Sequence, residues 1–143
     1  PSRLPALLTE PGLQKTRSCT LKELKAKFGA GLAKALKRDD VNYGVEDLFA
    51  MLETGSWVEV HTSRSMAVGC SQIEPNGEKS LYWLHVTGTL QDIVSSIVPL
   101  AEEKALQLGA TRIVQYGNPA YLRILPKAGF RLQAIKMEKR IYV

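Results

Sequence analysis

His85 is the residue in this sequence best suited to moving a proton, because an imidazole titrates near neutral pH. It stands in the run Leu81-Tyr82-Trp83-Leu84-His85-Val86, which alternates like a β-strand, and strict alternation puts it on one face with Leu81, Trp83 and Thr87. There it would act as a general base or pack against a hydrogen-bonding neighbour. The second histidine, His61, alternates with Glu59 along Trp57–His61 and is expected to point to solvent. Glu59 and Glu74 are single carboxylates on strands, each able to polarise an amine only through water. Two isolated histidines, with no cysteine or paired carboxylate at ligand spacing, do not make a metal site. Cys19 and Cys70 are far apart and form no C-x-x-C, so they read as free thiols of a reducing compartment, Cys70 as a small core residue. There is no Ser-His-Asp order and no phosphate loop of the G-x-x-x-x-G-K type.

The elements that must position these groups change character along the chain. Residues 1–18, with Pro1, Pro5, Pro11 and Gly12, read as an extended arm or a short edge strand. Thr20 and Glu23 form a capping box, and Leu21, Leu24, Phe28, Leu32, Ala35 and Leu36 follow at helical spacing. Gly29 and Gly31 predict a bend or a split in that helix. After the turn 39–44 (DDVNYG) a second short helix runs from Val45 to Thr54 and ends at Gly55. The period then becomes alternating, with strands over 57–61, 66–73 and 81–86 joined by hairpin-like turns, which makes an antiparallel meander. A helical stripe from Leu90 to Leu108 closes at Gly109 and contains Pro99, which predicts a kink. A strand over 112–116 follows, and the crossover from 81 to 116 makes its pairing parallel. Asn118-Pro119 opens a helix that stops at Gly129, with Phe130 buried, and the tail reads as a long strand bulged near Ala134.

With 143 residues, 45% of them hydrophobic and 23% charged, the chain has the make-up of a single folded domain spanning 1–143. Its charge of +5 favours anionic partners by steering only. The basic residues gather on the first helix (Lys22, Lys25, Lys34, Lys37, Arg38) and near the end (Lys136, Lys139, Arg140), which reads as a solvated face. Nucleic acid is not the expected partner, since neither a reading helix nor an aromatic stacking platform is evident. No apolar run is long enough to span a membrane, and the first residues do not read as a secretion signal.

The phrase 117–132, GNPAYLRILPKAGFRL, resembles the later part of the GNAT superfamily of N-acetyltransferases. Many members carry an asparagine there and a helix end of the form lysine, small or apolar residue, Gly-Phe, which Asn118 and Lys127-Ala128-Gly129-Phe130 match. Residues 102–116 are similar to the family's central helix, its glycine end and the strand after it. The likeness covers about residues 81–132, and the first 80 residues match in element order. It implies a mixed α/β fold: a three-strand antiparallel meander, then strand–helix–strand–helix–strand, with a splayed parallel pair. It also implies acetyl-CoA as cofactor and a small-molecule or protein amine as acceptor. The thioester would lie along the backbone of Leu84, His85, Val86, Thr87 and Gly88, with Thr89 and Asn118 as further cofactor contacts.

Two departures from the family pattern stand out. Members usually carry a Q/R-x-x-G-x-G/A loop whose backbone N–H groups hold the coenzyme's pyrophosphate. Here the stretch from Val86 to Asp92 has one glycine and places Asp92 in the first helical turn, where Thr89 and Asp92 read as a reciprocal cap. In many members a tyrosine five residues before the Gly-Phe phenylalanine protonates the leaving thiolate, and that position here is Leu125. Tyr121, one turn earlier, and Tyr116, at the end of the strand, are the candidates to replace it. Three readings follow: an N-acetyltransferase, a GNAT-like protein without the coenzyme that works through protein partners in an assembly, and a basic nucleic-acid adaptor. Small GNAT-like proteins of tailed bacteriophages resemble this short form, with a Trp-bearing strand ending in V-x-G and no glycine loop, and some travel in the virion. The location implied is cytoplasmic, or the virion for a phage protein.

Overall fold

The computed structural model describes residues 19–115, 121, 123–132 and 139. Helix α1 (Leu21–Arg38) begins at Thr20, whose hydroxyl accepts from the Glu23 amide at 3.1 Å while the Glu23 carboxylate accepts from the Thr20 amide at 2.9 Å. The helix is continuous, and the bend expected at Gly29 and Gly31 does not occur. Gly31 serves packing instead: a Cβ there would lie 2.2 Å from Thr87 Oγ1, so its absence lets α1 press against the sheet. Helix α2 (Val45–Glu53) starts where the Gly44 amide donates to Asp47 Oδ2 at 3.0 Å.

Strands β1 (Val58–His61), β2 (Met66–Ile73) and β3 (Lys79–Thr87) form the antiparallel meander that the alternation predicts. Helix α3 then runs without a break from a first turn, Leu90–Asp92, through a π-helical turn, Ile93–Ile97, into Val98–Leu108. The π turn replaces the expected kink. The Val98 amide reaches back five residues to the Ile93 carbonyl, and the widened turn accommodates Pro99, whose ring and missing N–H suit no ordinary helix interior. Gly109 closes α3 in the left-handed region at φ 76°. Strand β4 (Arg112–Gln115) pairs parallel with β3, from Ser80↔Arg112 to Trp83↔Gln115, giving the sheet order β1-β2-β3-β4. A side-chain clasp fixes this pairing. Glu74 Oε2 accepts from Tyr82 Oη at 2.6 Å and from Arg112 Nη2 at 2.8 Å, while Arg112 Nε donates to Ser80 Oγ at 3.1 Å. These hydrogen bonds hold the Glu74 carboxyl below its ordinary pKa. Glu74 is therefore a structural tie between strands.

The two faces of the sheet carry separate cores. Leu24, Phe28 and Leu32 of α1 and Leu48 and Phe49 of α2 pack with Met66 and Val68 on one face. On the other, Ile93, Ile97, Ala101 and Ala105 of α3 pack with Val60, Ala67, Leu81, Trp83 and Val86. Toward the C-terminus, Leu125–Ala128 is a single 3-10 turn that Gly129 ends at φ 91°. The left-handed stop is as expected, but the described part of the preceding segment has fewer residues per turn than an α-helix. Phe130 is half-buried rather than buried and forms one wall of a small cavity, and 130–132 carry no strand. The arm over 1–18, Tyr116, Asn118, Pro119 and the expected bulge near Ala134 lie outside the described residues. Among the described residues no helix is long and apolar enough to cross a membrane.

Candidate functional site

One extra residue in β3 organises the site. Val68 pairs with His85 but Gly69 pairs with Trp83, so Leu84 has no opposite number and forms a bulge. A Cβ on Gly69 would lie 2.3 Å from the Tyr82 carbonyl oxygen, so only glycine fits beside this irregularity. A one-residue slip moves every later side chain to the other face. Leu81 and Trp83 face α3, whereas His85 turns toward α1 and α2 with Thr87, and Val86 takes its place in the α3-side core. The expectation that His85 shares a face with Leu81 and Trp83 is corrected by the bulge.

His85 is 3% exposed and fully engaged. Its Nδ1 lies 2.8 Å from Asp39 Oδ2, and its Nε2 lies 2.5 Å from the Tyr43 hydroxyl. A carboxylate can only accept, so Nδ1 carries the proton, and when the ring is neutral Nε2 accepts from Tyr43. Asp39 is the C-cap residue of α1, and its other oxygen lies 3.5 Å from Arg38 Nε. Tyr43 stands in the α1–α2 connection, edge-on to both His85 and Trp57. Burial, and after it the negative charge of Asp39, pushes the Tyr43 phenol above its ordinary pKa. A groove of about 220 Å³ runs beside it, lined by Leu36, Lys37, Val41 and Val45 with Tyr43 itself.

On the α3 side of the bulge lies a nearly apolar cavity of about 30 Å³, walled by Trp83, Val86, Ile97, Tyr121 and Phe130 among others. The Trp83 indole N–H is buried with no hydrogen-bond partner among the described residues. Tyr121 is 6% exposed; burial raises its pKa, the charge of Arg38 lowers it and that of Asp39 raises it. The same two side chains thus reach it electrostatically from the end of α1.

The segment after β3 is closed by its own side chains. Gly88 sits at φ 137°, and a Cβ there would lie 2.0 Å from Ser65 Oγ, in the β1–β2 turn. Thr89 caps α3, its hydroxyl accepting from the Asp92 amide at 3.2 Å. The return half of the expected cap is absent, because Asp92 Oδ2 accepts from the Thr62 hydroxyl at 2.7 Å. Thr62 Oγ1 in turn accepts from the Arg64 and Ser65 amides, each at 3.0 Å, so Asp92 ties the turn to the helix.

Of the residues singled out in the sequence, Leu84, His85, Val86 and Tyr121 thus gather around the bulge and its cavity, while Thr87, Gly88 and Thr89 lead away into the α3 cap. His61 is not solvent-facing. It is 8% exposed, with Nδ1 2.7 Å from Glu59 Oε1. Asp39 and Tyr43 went unread in the sequence, where their run looks like an ordinary polar turn.

No protein-family model matches the sequence, and no curated protein sequence matches it. Solved structures do. Glucosamine-6-phosphate N-acetyltransferase from Arabidopsis thaliana superimposes with a TM-score of 0.61 at 13% identity, over 87% of this chain and 95% of that one. The ribosomal-protein-alanine N-acetyltransferase of Brucella melitensis gives 0.61 at 12%, over 87% and 96%. The chain has the GNAT fold. A predicted acetyltransferase from Clostridium acetobutylicum, solved with acetyl-CoA, gives 0.62 at 11%, over 85% and 92%.

The residues that the GNAT fold presents here suit acetyl-CoA at one end only. At the acyl end a bulged strand lies beside a nearly apolar cavity of about 30 Å³. At the diphosphate end the open side of Gly88 faces Ser65, and a carboxylate occupies the first helical turn. The acyl end fits and the diphosphate end does not.

Proposed function

We propose that this protein is an N-acetyltransferase that acylates an amine, with the acyl group held at the Leu84 bulge. The observation that carries this reading is the bulge itself, where the β2–β3 register shifts at Leu84. Acetyl-CoA, when bound, supplies a thioester carbonyl open to attack. The backbone of Leu84–Val86 would hold that carbonyl's surroundings, and the walls of Trp83, Val86 and Tyr121 would keep water out. Tyr121 would give its proton to the departing sulfur, a role that suits a phenol kept protonated by burial. Tyr116 and Asn118 keep their proposed roles as alternative acid and cofactor contact. A single GNAT-like domain over 1–143, in the cytoplasm, goes with this reading. Calorimetric titration with acetyl-CoA tests it: one site of micromolar strength is expected, and no heat of binding at millimolar ligand overturns it.

The tie between Thr62 and Asp92 favours a second reading, in which the GNAT fold is kept without its coenzyme and the protein serves an assembly such as a phage virion. The same titration, silent, together with co-purification of a stable protein partner, supports that reading over the first.

A further inference from the structure

We infer that the acyl donor is a thioester on an uncharged, pantetheine-type arm, and that this chain draws no affinity from the nucleotide diphosphate of coenzyme A. The inference rests on the acetyl-transfer reading and names its donor class. It follows from what occupies the start of α3. A helix start holds an anion through close approach at a glycine, through free amides and through the absence of other negative charge. Side chains of this chain already act on all three.

Close approach is the first. Gly88 stands at φ 137°, and a Cβ there would meet Ser65 Oγ at 2.0 Å and Ser65 Cβ at 2.5 Å. Ser65 is fully buried, and its hydroxyl has no hydrogen-bond partner among the described residues. It fills the space beside Gly88 without presenting a donor to the surface. The amides are the second, since the Asp92 amide donates to Thr89 Oγ1 at 3.2 Å. Charge is the third. The Asp92 carboxylate lies in the first turn, where the Thr62 hydroxyl donates to it at 2.7 Å. Thr62 is itself held by the Arg64 and Ser65 amides, so the carboxylate is fixed in the turn that a second anion would have to approach. Arg64 is the cation of this turn, and its side chain is exposed. A lone surface cation is screened by salt and does not offset an occupied glycine and a fixed carboxylate. At the acyl end, Trp83, Val86, Tyr121 and Phe130 wall a nearly apolar cavity, which suits an uncharged group. Both ends thus select the same kind of molecule, a thioester without charge along its arm.

Calorimetry with two probes tests this: acetylpantetheine, which ends before the diphosphate, and acetyl-CoA. Their Kd values are expected to agree within about 10-fold, whereas a helix-end diphosphate site would favour acetyl-CoA by about 100-fold or more. A preference for acetyl-CoA of that larger size overturns the inference while acetyl transfer stands. Asp92→Asn is expected to tighten acetyl-CoA by roughly 3-fold at low salt and to leave acetylpantetheine unchanged. An equal change for both probes overturns the inference. Arg64→Gln is the control: no change is expected with either probe, and a loss confined to acetyl-CoA means that the diphosphate is held after all. Such an arm is either free in solution or borne on a carrier protein through one phosphate, and acetyl-phosphopantetheine separates these sources. Binding equal to acetylpantetheine supports the carrier-borne arm, weaker binding supports the free one, and much tighter binding overturns the inference. If neither acetylpantetheine nor acetyl-CoA binds, the acetyl-transfer reading falls and takes the inference with it.

Discussion

The two ends of the segment from Leu84 to Asp92 use polar side chains in opposite ways. At the bulge, His85 is turned through the sheet to meet Asp39 and Tyr43, whose groups come from an element more than forty residues away in sequence. At the cap of α3, Thr62, Thr89 and Asp92 bond to one another and to the Ser65 amide within a single turn and its neighbour. The first arrangement ends at a group beside a groove; the second ends on itself. A fold can therefore keep the geometry for positioning a reacting group while the place where a diphosphate would rest is filled by local packing. The contrast also shows that glycine content alone does not decide such a site. Gly88 is present, but the space its missing side chain leaves is occupied by Ser65.

The sharpest way to break the comparison is Gly88→Ala. An alanine at φ 137°, its Cβ pressed on Ser65, should cost about 3 kcal/mol by denaturant unfolding. A cost near zero would mean that the β1–β2 turn yields easily and that the cap is open to a ligand. Gly31→Ala probes the other end. The contact with Thr87 costs energy, but alanine recovers about 1 kcal/mol of helix propensity, so a net loss of about 1 kcal/mol is expected. Because α1 presents Asp39, the same variant should also weaken the His85 contact, visible as a shifted imidazole resonance. The smallest effect belongs to Asp92→Asn. Removing the charge from the first turn should cost about 0.3–1 kcal/mol of stability, and acetyl-CoA affinity should rise at low salt, the gain shrinking as salt is added. A fall in affinity would show that Asp92 helps the ligand rather than repelling it.

Much of the fold was legible because local signals coincide with local causes. Thr20 and Glu23 cap a helix, Gly109 and Gly129 stop one, and the alternation over 66–73 is a strand with those same ends. The parallel pairing of β3 and β4 followed from the helix between them. The site was less legible. Strict alternation cannot register an inserted residue, so the face of His85 was misjudged at Leu84. Asp39 looked like one of two acids in a turn, and nothing in its neighbourhood names a histidine on a distant strand as its partner. Asp92 was expected to close its own helix, whereas the donor it accepts from is Thr62, thirty residues earlier. His61 was expected at the solvent because alternation gives a face but not what covers it.

The π turn in α3 has a consequence for how this chain tolerates change in length. A π turn holds one residue more than the helix on either side needs, and α3 holds its surplus at Ile93–Ile97, where Ser95 is exposed. A one-residue deletion there leaves Ile93 on one side and Ala101 and Ala105 on the other still directed at the sheet. A deletion among 101–108 would rotate part of that stripe toward water. Pro99 restrains this freedom, because a regular turn before it would bring back the clash that the wide turn avoids. Shortening and loss of the proline are thus linked: in related chains a regular α3 should lack a proline at this place, and a proline here should come with the extra residue.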